Sequence, residues 1–233
     1  MIKIENVEIF GWQAAIRGMR NPLNSWEKSD SFESEIGDND CSLMEKLAVA
    51  GSDHRKFMRM INVTMDITAP LYWWAECDTY KVGTVRNSCS KMHKLLSKPF
   101  EMSDFSFDKL AGYKNEVKQF RPDFDEKDEK WKLLNEKTNV YEEVARPLVD
   151  TLNELRDSYL NCDDEEQKKI IWYSILQLLP ESYNQRATVQ LNYEVLHNIY
   201  FARKSHKLDE WRMFCKWIEQ LQLSKLIIGG FEK

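Results

Sequence analysis

Two half-buried strands far apart in the chain constrain its fold more than anything else. Ile61, Val63, Met65 and Ile67 alternate with Asn62, Thr64, Asp66 and Thr68, the period-two pattern of a strand with one face in a core. Arg186, Thr188 and Gln190 alternate in the same way with Ala187, Val189 and Leu191. Between them helical spacing dominates: Tyr141, Val144, Leu148, Leu152 and Leu155 recur on one face, with Pro147 at a kink or boundary. Asp163 and Asp164 open a further helix whose Ile170, Ile171, Tyr173, Ile175, Leu176 and Leu179 are expected inside, and Pro180 ends it. Strands gathered at the two ends, with no regular strand-helix alternation, indicate an α+β fold: a small, mostly antiparallel sheet and several long helices.

The remaining segments are placed by local signals. Ile2 and Ile4, then Val7 and Ile9, predict one or two short strands, and Trp12 to Arg20 a short helix. Residues 21–40 carry Pro22 and Gly37 without a period and predict a long loop. Ser42 and Glu45 form a capping-box pattern at the start of a helix that stops at Gly51. After Ala69-Pro70 the run LYWWAECDTYK predicts a buried helix, with proline at its first position and the paired tryptophans in a core or a subunit interface. Phe105 to Tyr113 predicts a short helix, and the charge run from Asp123 a solvated face within a charged helical segment around 123–160.

Composition bounds the function. With 233 residues, 42% of them hydrophobic, a single domain spanning 1–233 is expected. A net charge of -5 gives no basic face for nucleic acid. Cys41, Cys77, Cys89, Cys162 and Cys215 are odd in number and form no CxxC pair, which with the absence of an apolar span or leader points to a reducing, cytoplasmic setting and no membrane. His54, His93, His197 and His206 have no metal-ligand spacing with the cysteines, so no metal is expected. Neither GxGxxG nor a P-loop occurs.

Chemistry concentrates at the second strand. Asn192 ends it and caps a helix whose Val195, Leu196, Ile199, Tyr200 and Ala202 form an apolar stripe, a corner suited to an anion. Asn198 and Arg203 stand about 140° apart on that helix and so flank a ligand rather than meet at one atom. The alternative is a mere cap, a surface amide and a solvated cation at a helix C-terminus.

Leu179-Pro180, Asn192, Asn198 and Arg203 resemble the C-terminal motif of the flavin-dependent thymidylate synthases, in which a Leu-Pro precedes a strand, an Asn, a second Asn six residues on and an Arg five beyond. The resemblance implies that Asn192 and Asn198 hold a flavin and Arg203 a nucleotide. His206, Glu210 and Trp211 resemble the run that follows, with broken spacing and no role carried over. Residues 69–93 stand where that family keeps an Ala-Pro, a helical Gln and then Arg-His-Arg-x-x-Ser-x-Asn-Glu-x-Ser-x-Arg. Aligned without gaps, Glu76 takes the glutamine, Thr79, Tyr80 and Lys81 the Arg-His-Arg, Thr84 and Cys89 the serines and Lys91 the last arginine; a shift of one residue instead matches Asn87 and Ser90. Charge survives at Lys81 and Lys91, but the guanidinium fork does not.

By this resemblance Tyr80 and Lys81 join the asparagines at the cofactor, while Glu76, Cys89 and Lys91 join Arg203 at the substrate. Lys81, Arg86, Lys91 and His93 are otherwise a solvated basic cluster. Cys89 is otherwise a buried inert thiol or, beside Lys91 and His93, a nucleophile with a lowered pKa. Asp66, Glu76 and Asp78 are the candidate carboxylate bases, with nothing to choose among them. The implied activity is methylation of dUMP to dTMP using methylenetetrahydrofolate, reduced FAD and NADPH, in a homotetramer whose sites are shared, as in a divergent synthase of the kind a phage carries. The competing expectation is a catalytically silent or repurposed nucleotide- or protein-binding module on the same scaffold.

Overall fold

The computed structural model describes residues 2–33, 35–121 and 132–229, with backbone alone at 92, 93, 114–121 and 132–139. The chain divides into two compact units, Met1–Cys89 with Gln185–Lys233, and Ser90–Asn184.

The first unit is built on a four-stranded sheet of β1 (Lys3–Phe10), β2 (Asn62–Pro70), β6 (Asn184–Asn192) and β3 (Val85–Ser88), in the order β1-β2-β6-β3. Both expected strands are present, and every second side chain of β2, from Val63 to Ala69, is buried. β1 is one strand rather than two: a bulge at Asn6, in a left-handed conformation, shifts its register against β2 between Glu5 and Glu8. This bulge is why Ile2 and Ile4 are out of phase with Val7 and Ile9. Strand β3 carries no apolar alternation, and its partner β6 defines it through Val85↔Gln190 to Ser88↔Ala187.

Helices α1 (Trp12–Arg20), α3 (Leu71–Cys77), α8 (Tyr193–Arg203), α9 (Asp209–Ile218) and α10 (Lys225–Ile228) contribute to one core with the buried face of the sheet. Pro70 is the N-cap of α3 rather than its first residue. Trp73 and Trp74 are 0% and 2% exposed. Trp73 packs 4.8 Å from Trp211 and 5.7 Å from Phe214, and the Trp74 indole donates to the Gln185 carbonyl at 2.9 Å. These tryptophans are core and supply no subunit interface.

Helix α2 (Asp38–Val49) begins earlier than the Ser42 box suggests. Its first-turn amides at Asn39 and Asp40 are capped from outside the helix by the Asp30 carboxylate, at 2.9 and 3.0 Å. Asp40, fully buried, then accepts from Arg20, Ser29 and Ser31. The stretch before α2 is a loop with short 3-10 turns at Asn21–Leu23 and Trp26–Lys28.

The second unit holds α4 (Lys91–Lys94), α5 (Asp108–Gly112), α6 (Arg146–Leu160) and α7 (Glu165–Leu178), with a π turn at Tyr141–Ala145. Pro147 lies in the first turn of α6 and marks its boundary. Asp164 caps α7 by accepting from the Gln167 amide at 2.9 Å. Ile175 is buried and Ile171, Leu176 and Leu179 pack on the local core, but Ile170 and Tyr173 are exposed, because a helix lying on a single core turns only part of its circumference inward.

The charged segment is only partly helical. Lys132–Asn139 is strand β5, paired antiparallel with β4 (Lys114–Arg121), a ladder that satisfies the backbone of a polar stretch lacking an apolar stripe. Most of the charge run, 122–131, lies outside the described residues. Among the described residues no helix is long and apolar enough to cross a membrane.

Candidate functional site

Asn192, Asn198 and Arg203 lie along α8 from its N-cap to its last residue, and Glu76, Tyr80 and Lys81, on α3 and the turn after it, lie against that helix. Asn192 lies in the N-cap position, and its side-chain oxygen accepts from the Val195 amide at 3.0 Å. Its amide nitrogen faces Gly83, which has φ +76° and where an added Cβ would stand 2.7 Å from that nitrogen and 3.2 Å from Val195 Cγ2. Only glycine fits there, both for the left-handed backbone and for the close approach. The turn thereby brings Tyr80 and Lys81 beside Asn198, around a cavity of about 220 Å³ that Thr79, Val82 and Val195 complete.

Arg203 is no solvated cation. Its Nε donates to the Tyr80 hydroxyl at 3.0 Å and its Nη1 to Glu76 Oε2 at 2.7 Å, and the guanidinium carbon lies 4.9 Å from the centre of the Trp211 ring. The Trp211 indole also donates to Glu76 Oε2, at 3.0 Å, and His206 Nε2 lies 2.9 Å from Arg203 Nη1. Glu210 is buried and accepts from the Tyr72 hydroxyl at 2.6 Å. The run His206 to Trp211 thus frames the arginine although its spacing is irregular. Arg203 and Asn198 flank Tyr80, whose hydroxyl takes the first and whose ring borders the cavity of the second.

A second cavity of about 280 Å³ shares Tyr80 and Lys81 with the first and is lined also by Trp74, Thr84 and Arg86. Among the described residues the buried Thr84 hydroxyl has no hydrogen-bond partner. Arg86 is committed elsewhere: its Nη1 donates to both carboxylate oxygens of Asp78, at 2.8 and 2.6 Å, its Nη2 donates to Gln185 Oε1 at 2.7 Å, and its guanidinium stacks 3.8 Å above Trp74. Of the candidate bases, Asp78 is therefore spoken for. Asp66 lies on the polar face of the sheet, where hydrogen bonds from Thr188, Arg186 and Asn6 hold its carboxyl well below the usual carboxylate range. Glu76 alone of the three stands in the cluster.

Among the described residues no contact joins Cys89 to this cluster. Cys89 directly follows β3, its amide donating to the Arg186 carbonyl at 2.9 Å and its carbonyl accepting from Gln185 at 2.7 Å; the residue is exposed, not buried. Lys91 opens α4 in the second unit. The side chain of His93 lies outside the described residues. The buried thiols are Cys77, the last residue of α3, and Cys215; burial, with Asp78 beside it, pushes the Cys77 thiol up to about 12.

No family model and no curated protein matches the sequence. Solved structures do match. Thymidylate Synthase X (ThyX) from Helicobacter pylori with FAD and dUMP aligns at a TM-score of 0.60 and 17% identity, over 98% of each chain. A second structure of the flavin-dependent ThyX from Helicobacter pylori, complexed with FAD and dUMP, aligns at 0.59 and 17%, over 99% of this chain and 100% of that one. The UMP/dUMP methylase PolB from Streptomyces cacaoi, bound with 5-Br dUMP, aligns at 0.57 and 15%, over 94% of this chain and 88% of that one. Over almost its whole length this chain therefore has the fold of the flavin-dependent thymidylate synthases.

Proposed function

We propose that the protein is a ThyX-like flavoenzyme that binds FAD and a pyrimidine nucleotide and methylates dUMP to dTMP, taking the carbon from methylenetetrahydrofolate and reducing power from NADPH. One observation carries this: Arg203, fixed between Glu76, Tyr80 and Trp211, stands at the end of the helix whose Asn198 borders the cavity of Tyr80 and Lys81. In the structures this fold matches, the ligands are FAD with dUMP, or 5-Br dUMP.

The residues present fit such ligands. Among the described residues Lys81 is exposed and unpaired, the exposed Asn198 amide has no partner, and Thr84 offers an unpartnered buried hydroxyl. A bound reduced flavin would supply the hydride. The chain's own part is to orient and to exclude water. Arg203 would hold the nucleotide by charge-assisted hydrogen bonds, Glu76 would keep the guanidinium plane in place, and Tyr80 and Trp211 would wall the site. The two cavities, about 280 and 220 Å³, are small for a dinucleotide. Neighbouring copies in a homotetramer would then complete each site. Purified protein that takes up FAD with a shifted flavin absorbance, and forms dTMP from dUMP, would establish this reading; a protein that binds neither FAD nor dUMP would remove it.

A second reading is favoured by one feature. Two donors of Arg203 are already satisfied by Glu76 and Tyr80, and Thr79-Tyr80-Lys81 offers no forked guanidinium. A silent or repurposed binding module predicts nucleotide binding without product.

A further inference from the structure

After α8 the chain turns tightly, and the backbone around His206 is pinned from both sides. The His206 amide donates to the Arg203 carbonyl at 2.9 Å, and Arg212 Nη1 on α9 donates to the carbonyls of His206 and Lys207 at 2.5 and 2.9 Å. The Leu208 amide, at the N-cap of α9, then faces His206 Nδ1 at 3.2 Å. The other ring nitrogen, Nε2, faces Arg203 Nη1 at 2.9 Å. Both neighbours are N–H groups, which donate and never accept.

A neutral imidazole accepts at one nitrogen and donates at the other, and an imidazolium donates at both. Of the two facing donors, the Leu208 amide is fixed in pinned backbone, whereas Arg203 Nη1 ends a rotatable side chain. Nδ1 is therefore the acceptor, and the proton of the neutral ring lies on Nε2. Among the described residues the acceptor in reach of that N–H is Glu76 Oε2, 3.5 Å away. The same oxygen already takes Arg203 Nη1 at 2.7 Å and the Trp211 indole at 3.0 Å. One carboxylate oxygen offers about two lone-pair positions, so the third donor is surplus. His206 gains its full hydrogen bond only when Arg203 Nη1 leaves.

We propose that His206 is a positioning residue that exchanges places with Arg203 on Glu76. A ligand acceptor that draws Nη1 away leaves Oε2 to the His206 N–H, so the carboxylate stays satisfied by His206 and Trp211 while the guanidinium turns to the ligand. His206 itself does not touch the ligand. This inference rests on the nucleotide site proposed for the Arg203 cluster.

Titration calorimetry with dUMP tests it on the full chain. His206→Phe keeps a ring but has no donor for Glu76, and should weaken dUMP binding about threefold to tenfold, the worth of one neutral hydrogen bond. His206→Gln, whose side-chain amide both donates and accepts, should restore most of that loss. With Glu76→Gln in place no carboxylate needs a new partner, so adding His206→Phe should change affinity less than about twofold. A merely structural histidine would give the same loss in both backgrounds. Long-range proton-nitrogen NMR of the unaltered chain, which needs no variant to fold, should show the Nε2-protonated ring. The inference is overturned if the ring carries its proton on Nδ1, if His206→Phe binds dUMP as the parent does, if His206→Gln loses as much as His206→Phe, or if the loss persists undiminished beside Glu76→Gln. A parent that binds no dUMP removes the proposed function and this inference with it; a parent that binds dUMP with an indifferent His206 removes the inference alone.

Discussion

Arg203 Nη1 and Glu76 Oε2 meet at 2.7 Å across 127 residues of sequence, with side chains 20% and 34% exposed. A pair so placed contributes about 1 kcal/mol or less to stability, so its value lies in orientation. Arg203→Ala should weaken dUMP binding about tenfold or more while lowering the melting temperature only slightly. Arg203→Lys should restore part, because an ammonium keeps charge and loses the fork. Equal dUMP affinity of parent and Arg203→Ala by calorimetry would return the arginine to a purely structural role.

Glu76→Gln tests what the carboxylate adds. The amide oxygen can still accept from Trp211 and Arg203, which keeps the guanidinium oriented, but it no longer neutralises the charge, which is left for an anionic ligand. Nucleotide affinity is expected to rise or hold. A loss as large as that of Arg203→Ala would mean that the negative charge itself contacts the ligand.

Gly83→Ala combines an unfavourable backbone conformation with a 2.7 Å approach to Asn192. We expect a cost of about 1 kcal/mol or more, and FAD binding impaired beyond what the stability loss explains, because the turn carrying Tyr80 and Lys81 must lift away from α8. Asn192→Ala should cost about 1 kcal/mol through the lost cap. Thermal denaturation beside flavin titration separates the two effects.

Arg20 and Asp40 form a buried ion pair at 2.6 Å, their side chains 4% and 0% exposed. Arg20→Ala leaves Asp40 uncompensated and should cost about 3–5 kcal/mol in urea unfolding. A cost under 1 kcal/mol would show that Ser29 and Ser31 suffice as partners.

Acid stability should fall in two windows. Burial lowers the pKa of His197 below 6.5, against the opposing effect of the Ile227 carbonyl 2.7 Å from Nδ1. The unfolded chain therefore protonates first, and stability declines as pH falls below 6.5 toward the folded value. Asp40 follows the usual carboxylate case. Burial raises its pKa, but hydrogen bonds from Ser31, Ser29 and Arg20 outweigh this and leave it below 3.8. Its contribution is present above 3.8 and is lost as pH falls through the folded value. His197→Phe should flatten the upper window alone in pH-dependent urea melts.

How much of this was legible in the sequence varies with the physics of each segment. β2 and β6 were plain because a sheet with one buried face imposes alternation on Val63 to Ala69 and on Ala187 to Leu191. The hairpin of Lys114–Arg121 with Lys132–Asn139 was hidden because a polar ladder needs no apolar period. The start of α2 was misplaced because its cap is Asp30, eight residues before the helix begins, where no local capping pattern looks. At the site, Asn192 announced itself as a cap, whereas the contact of Arg203 with Glu76 and Tyr80 depends on how α3 and α8 pack, and only family resemblance put these residues together.

Asp66 has a consequence for folding fidelity. On β2 the buried side chains repeat every second residue, so sliding the strand by two positions would keep apolar groups inside, and burial alone distinguishes such misalignments poorly. Asp66 accepts from Asn6 on β1 and from Arg186 and Thr188 on β6, at 2.8, 2.7 and 2.6 Å. All three contacts exist in one alignment only. Asp66→Ala should thus yield a chain that buries nearly the same surface yet populates slipped pairings, visible as doubled amide resonances along β1 and β6 rather than as a large fall in melting temperature.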